Sequence, residues 1–316
     1  MKRSFRHFFS QTLLTALVIG VPVLGHASTN SLGLDSSLNL LSFGDFLSSR
    51  SDVQGRVAAG GNVNISNYSI NDFALSGNGL TVGGDLTFFH GNIYGNTVVG
   101  GSLFTDQSAT VHGSVQGSQP SVALGLNFAA EKQRLTSLSQ GLEALASPGH
   151  GSDVSGWFVL DANHSNLAVF DVTSGDVMKN LRLDNLNADT TVIINVQGQT
   201  IDFGSHDYRN FAAGHVLFNF AEATQITFAS GVEASFLAPL ANFTSTTAGG
   251  WINGQVIVNS WSGGVHGVQV NAGTFTGVTP VPEPETYALM LAGLCVVTCF
   301  SRRRHKTTLH VSCGVT

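Results

Sequence analysis

One short phrase constrains this chain more than any other feature. It recurs between Val53 and Val115 as an apolar pair, two glycines, a small polar residue and a further apolar residue. The clear copies are Val57-Ala58-Ala59-Gly60-Gly61-Asn62-Val63, Leu80-Thr81-Val82-Gly83-Gly84-Asp85-Leu86 and Thr97-Val98-Val99-Gly100-Gly101-Ser102-Leu103. A worn fourth copy reads Ala109-Thr110-Val111-His112-Gly113-Ser114-Val115. The glycine pairs lie 23 and then 17 residues apart. Repeats near this length, with β-branched residues between turns, predict stacked β-coils. One coil cannot bury its apolar row alone, but a coil on either side can. The glycines are expected at corners, where a positive φ or a close backbone approach excludes a Cβ. A β-meander with Gly-rich hairpins would use the same residues, and the repeat alone does not separate the two.

The remaining composition agrees with an ordered β-rich body. Glycine is abundant (37 residues) and proline scarce (7), and the glycines are interleaved with Val, Ile, Leu and Phe rather than with Pro and Ser. Of the 14 Lys and Arg, Lys2, Arg3 and Arg6 open the chain, and Arg302, Arg303, Arg304 and Lys306 lie near its end, which leaves seven between them. Eighteen of the 20 Asp and Glu lie in that body, so its net charge is −11. Such a charge disfavours nucleic acid and anionic lipid as partners. All three cysteines, Cys295, Cys299 and Cys313, lie in the tail, so no disulfide framework holds the body.

Residues 1–27 have the order of a secretory signal peptide: a basic start, an apolar run from Leu13 to Leu24, then Gly25-His26-Ala27 with the expected cut between Ala27 and Ser28. The body is expected over 28–277. Its entry, rich in Leu38, Leu40, Leu41, Phe43, Phe46 and Leu47, is suited to capping the open end of a stack. The pattern changes at Pro120. Leu124, Phe128, Leu135, Leu138, Leu142 and Leu145 follow a spacing of three and four, which predicts an amphipathic helix near 121–146, stopped by Ser147-Pro148-Gly149. Its stripe is expected along the side of the stack. Strands are then expected at Trp157–Leu160, Leu167–Val172, Thr190–Val196, Val216–Phe220, Gln225–Phe228, Ala234–Leu237 and Gln255–Val258. The fold class is therefore mainly β: an irregular β-helix or solenoid-like stack with one long α-helix packed along its side.

Residues 278–316 form a tail. Val281-Pro282-Glu283-Pro284 precedes an apolar run over 287–300 and the cluster Arg302-Arg303-Arg304. The run is shorter than the roughly 20 residues of a lasting membrane span, and the arginines would hold its end on the cytoplasmic side. This three-part tail resembles the PEP-CTERM sorting signal, although His305 to Thr316 run past the usual abrupt end. The resemblance implies export from a Gram-negative cell, transient membrane insertion, cutting by an exosortase near Pro282 to Pro284, and delivery to the cell surface or extracellular matrix. Signal peptidase and exosortase are then the partners during export.

The body resembles a choice-of-anchor A domain. The residues that carry the resemblance are Gly44-Asp45-Phe46, the run Asp52-Val53-Gln54-Gly55-Arg56 leading into the first repeat, Phe236-Leu237-Ala238-Pro239-Leu240-Ala241 and Ile252-Asn253-Gly254-Gln255-Val256-Ile257. That family implies a surface protein without catalytic residues. Coils, one helix and more coils also resemble, in architecture only, the irregular β-helix of ice-binding surface proteins.

Chemistry is sparse. No Gly-x-Ser-x-Gly elbow is present, and the Gly-Gly turns do not precede helices as phosphate loops do. No catalytic residue and no metal ligand is assigned, and the protein is expected not to be an enzyme; a carbohydrate-active enzyme would need two carboxylates about 5–10 Å apart in a groove. His206-Asp207 beside Asp202 is the densest titratable cluster. No cofactor is assigned; calcium would suit the acidic turns Asp171 to Asp176 and Asp184 to Asp189 best, although neither matches an EF-hand loop or a Gly-Gly-x-Gly-x-Asp nonapeptide. Exposed aromatics stack on sugars, which singles out Trp157, Trp251 and Trp261; Trp251 and Trp261 flank one strand and are the candidate ligand face, with exopolysaccharide the candidate partner. An ice-binding face would need rows of Thr recurring at coil spacing; Thr244 to Thr247 and Thr274 to Thr276 are local.

Overall fold

A computed structural model describes residues 31–279, apart from 121–123, 148, 150, 205 and 246–248. The tail motif, the apolar run 287–300 and the Ala27–Ser28 junction lie outside the described residues. The Gly-Gly repeats stack in parallel: Val57 lies beside Leu80, and Leu80 beside Thr97. A meander would pair antiparallel. Among the described strands, that pairing is confined to one hairpin, Gly151–Val154 with Trp157–Asp161. The molecule is a β-solenoid.

Each coil passes through three faces. The first face is a continuous ladder of ten strands. In spatial order they are Val115–Gln116, Asn96–Val99, Asn78–Val82, Arg56–Ala59, Leu38–Ser42, Val256–Ser262, Ser235–Ser245, Val216–Asn219, Thr191–Gln197 and Leu167–Thr173. The order gives the path. The chain starts in the middle, builds outward to Gln116, is carried back by a helix, re-enters at the other end, and builds inward until Ile257 pairs with Leu41. The entry segment is therefore not the cap that its apolar density suggested. Leu38–Ser42 is paired on both sides, and its Leu40 and Leu41 are buried because coils flank it on either hand.

The glycine pairs have a clear steric reason. A Cβ on Gly83 would come within 2.2 Å of the Gly60 carbonyl oxygen, and one on Gly100 within 2.3 Å of that of Gly83. The second glycine of each pair admits the polar residue of the coil before it. The carboxylate of Asp45 accepts from the Asn62 backbone N–H (2.8 Å), the Asn62 amide oxygen from Asp85 (2.9 Å), and the Asp85 carboxylate from Ser102 (2.7 Å). The worn fourth copy does not continue this row. Val111 pairs with Ile93 on the third face, and it is Val115 that pairs with Thr97. Gly113 packs on Gly95 instead.

Inward rows run the length of the stack. One reads Leu80, Val57, Leu40, Val256, Phe236, Phe218, Ile194, Phe170. It changes from aliphatic to aromatic near its centre. Phe203, Phe218, Phe220, Phe228 and Phe236 form a cluster with ring centroids 5.1–6.2 Å apart.

The helix, α1, spans Phe128–Glu143, shorter than the expected 121–146. Gly125 takes a positive φ of 71°, and Asn127 caps α1 by accepting from the Ala130 N–H (3.1 Å), so Leu124 is buried outside the helix. Leu135, Leu138 and Leu142 pack on the outward residues Leu41, Leu217, Leu237, Ile193 and Ile257 of the first face. A buried polar ladder fixes the docking. The Asn219 amide donates to the Ser139 carbonyl (2.9 Å) and to Asn195 Oδ1 (2.9 Å), the Ser139 hydroxyl donates to Asn219 Oδ1 (2.6 Å), and the Asn195 amide donates to the Leu142 carbonyl (3.2 Å) and to Asp171 (3.0 Å). Among the described residues no helix is long and apolar enough to cross a membrane.

Candidate functional site: a break in the third face

The third face is a continuous ladder through Ala109–His112, Leu86–Tyr94, Val63–Ile70, Phe46–Val53, Gln269–Asn271, Trp251–Asn253 and Gly231–Val232. There it stops. The next coil carries Tyr208–Arg209, which belongs to a separate four-stranded sheet with Leu181–Asp184, Trp157–Asp161 and Gly151–Val154. Between the two sheets lies a cleft of about 340 Å³, lined by His206, Asp207, Tyr208, Phe211, Glu233 and Trp251, among others.

Trp251 is 38 % exposed and forms one wall. Its indole lies over Gly231, where a Cβ would come within 2.4 Å of the ring, so glycine at 231 is what lets the ring lie flat on the neighbouring coil. Tyr208 is held from below, stacked on Phe203 (6.3 Å) and edge-on to Phe211 (5.3 Å). His206 Nε2 is buried with no hydrogen-bond partner among the described residues. Burial holds its imidazole below the usual histidine range. The cleft thus offers a flat aromatic ring and two carboxylates.

The expected shared face of Trp251 and Trp261 does not form. Trp261 is 1 % exposed and is a core rung on the second face, stacked between Phe243 (4.3 Å, 2° between planes) and Phe46 (6.1 Å). The chain bends between the two tryptophans: Trp251–Asn253 lies on the third face, and Val256–Ser262 runs from the first to the second. Trp157 is covered by the Arg209 guanidinium, 4.2 Å above its ring. The lining residues Tyr208 and Glu233 have no signal in the sequence, because the break between coils that exposes them has no residue signature.

Two carboxylates of the acidic turns suited to calcium hold partners within the chain. The Asp176 carboxylate accepts from the Thr173 N–H (3.0 Å) and hydroxyl (2.7 Å) and pairs with Lys179, and Asp184 holds Arg182 through both oxygens (2.9 and 2.7 Å). No group of three His, Cys, Asp or Glu suited to a metal is found among the described residues, so Asp202, His206 and Asp207 are not brought into one.

The second face differs in kind. Its outward row reads Asp202, Thr227, Thr244, Ser262, Leu47, Asn64, Thr87, Phe104. Three threonines and a serine share it with a carboxylate, an asparagine and two large apolar side chains.

Residues 280–304 match the PEP-CTERM protein-sorting motif. No curated protein matches the chain. Among solved structures, an ice-binding protein from an Antarctic biological consortium is 12 % identical, covering 81 % of this chain and 95 % of its own, with a TM-score of 0.38. An ice-binding protein from an Arctic yeast is 14 % identical over 81 % of this chain and 96 % of its own (TM-score 0.33). A domain of a Shewanella frigidimarina ice-binding protein is 10 % identical over 80 % and 98 % (TM-score 0.31). Likenesses at these TM-scores carry no functional weight. Residues 31–270 match the model of the ice-binding-like adhesive domain, and the chain belongs to that family.

Proposed function

We propose that the chain is an exported, non-enzymatic adhesin of the choice-of-anchor A type that holds polysaccharide at the third-face cleft. Three segments serve this role: a signal peptide over 1–27, the adhesive body over 28–277, and a sorting tail over 278–316 that an exosortase cuts on the way to the cell surface or matrix. The observation that carries the ligand reading is Trp251, an exposed flat ring beside groups that exchange hydrogen bonds with hydroxyls. An aromatic face stacks on the C–H face of a sugar, while carboxylates fix its hydroxyls. The test is retention of the full chain on the producing organism's own extracellular polysaccharide, against unrelated glycans. Saturable retention lost in Trp251→Ala supports the reading; retention unchanged by that substitution overturns it.

A second reading has one observation in its favour. The outward row on the second face holds Thr227, Thr244 and Ser262 in adjacent, registered positions, and the family the chain belongs to is described as ice-binding-like. An ice or solid-surface binder would use that row. Thermal hysteresis abolished by Thr244→Tyr, with Trp251→Ala harmless, would select it over the cleft.

A further inference from the structure

The two ends of the solenoid are finished differently. At one end the outermost strand of the first face, Leu167–Thr173, is covered: the Asp171 N–H donates to the Ser147 hydroxyl (3.0 Å), that hydroxyl donates to the Val169 carbonyl (3.1 Å), and Gly149 bridges to Phe170. At the other end the last coil has no such cover among the described residues. Leu103–Thr105, Ala109–His112 and Val115–Gln116 each pair on one side only, with Leu86–Tyr94 or Asn96–Val99. The three inward apolar rows stop there at Leu103, Val111 and Val115. Leu103 and Val115 are 37 % and 43 % exposed, and Phe104 is 60 % exposed beside Phe89 (5.5 Å). An unprotected parallel edge of this kind is a template for another strand.

Both segments that lead out of the described body leave it far from this edge. The Thr279 hydroxyl donates to the Ser31 carbonyl (2.8 Å), so the two exits meet, and the Val278 N–H donates to the Thr191 hydroxyl (2.9 Å). Thr191 opens the ninth strand of the first-face ladder and Val115 the first, a separation of roughly 40 Å at strand spacing. The bare coil is therefore the end of the body remote from both exits. That coil also carries little charge to oppose a second copy. Leu103 to Gln116 holds one acid, Asp106, and no Lys or Arg, whereas the body carries −11.

We infer that the bare coil is a homotypic docking edge, which joins two copies of this chain head to head with their tails at the outer ends. A twofold axis across the stack sets each edge strand antiparallel to its partner, closes the contact, and stops at a dimer. Leu103, Val111 and Val115 of the two copies would complete each other's inward rows, and Phe104 would lie at the rim.

The test is sedimentation of the full chain in density-matched detergent over a range of concentrations, beside the double substitution Leu103→Lys, Val115→Lys and the control Trp251→Ala. The expected result is a reversible dimer for the natural chain and the control, with the double variant's dissociation constant raised by roughly a hundredfold or more. Amide exchange gives a readout that needs no variant: the backbone N–H groups of Leu103 to Gln116 should slow as concentration rises. A natural chain that stays monomeric overturns the inference, and so does a dimer that survives both lysines. Protection of this coil that is independent of concentration and disappears when the tail is cut would also overturn it, since the chain's own tail would then be the occupant.

Discussion

The two arms of this solenoid solve one problem in different ways. From Leu38 to Gln116 the coils are short, their corners are glycine pairs, and the core is built mainly from Val, Leu and Ile, with Phe46, Tyr68 and Phe88 among them. From Trp157 to Asn271 the corners are irregular, and the interior is filled by Phe203, Phe218, Phe220, Phe228, Phe236 and Phe243 with Trp261. Backbone-to-backbone contact at a glycine corner fixes coil spacing and leaves little room for variation. It is in the aromatic arm that the third face breaks and the cleft opens. Regularity holds the first arm together, and irregularity gives the second its candidate site.

The comparison breaks most sharply at a glycine corner. Gly83→Val should cost more than about 4 kcal/mol, in the range reserved for mutations that disrupt a backbone contact, because its Cβ would meet the Gly60 carbonyl. Gly175→Ala in the other arm, where the nearest atom is 3.7 Å away, should change little; urea unfolding of both variants measures the contrast. In the aromatic arm the sensitive position is Phe236, fully buried and in contact with four other rings. Phe236→Ala should cost about 3–5 kcal/mol, and the same measurement checks it.

Smaller effects probe the joins. Asn219→Ala should cost about 1–3 kcal/mol, by leaving buried partners on Ser139 and Asn195 unmatched. It should speed amide exchange in Leu135 to Leu142 more than in the coils. The smallest expected effect is one of pH, at the seam where the arms meet. Burial, with Asp72 nearby, raises Asp52 above the ordinary carboxylate value of 3.8, against a weak hydrogen bond from Gln269 (3.3 Å). A raised carboxyl binds its proton more tightly folded than unfolded, so its unfavourable contribution is absent below pH 3.8 and grows as pH rises through the folded value. Asp52→Asn should therefore stabilise the chain at neutral pH and flatten its acid-side stability profile.

The same division decides what could be read from residues alone. The glycine phrase, spaced at coil length, pointed to stacked coils without excluding a meander, and the three-and-four spacing of Leu135, Leu138 and Leu142 revealed the packed face of α1. Both are local patterns, so they survive in a single sequence. The worn copy at Ala109 to Val115 misled, because a glycine after a β-branched pair occurs at more than one corner. The entry segment misled for a topological reason: the chain begins in the middle of the stack, and the Leu41–Ile257 pairing spans most of its length. The tryptophans were found but misplaced, since a bend between Trp251 and Val256 sends two residues of one apparent strand to different faces.

Tryptophan fluorescence tests the central claim most directly. Trp261 is buried, Trp157 lies under Arg209, and Trp251 is exposed in the cleft. Titrating the full chain with the producer's extracellular polysaccharide should shift the emission to shorter wavelength in a saturable way. The shift should vanish in Trp251→Phe while affinity weakens only modestly, since a smaller ring still stacks. Binding with no change in emission, or a shift that persists in Trp251→Phe, would place the ligand elsewhere and contradict the assignment of the cleft.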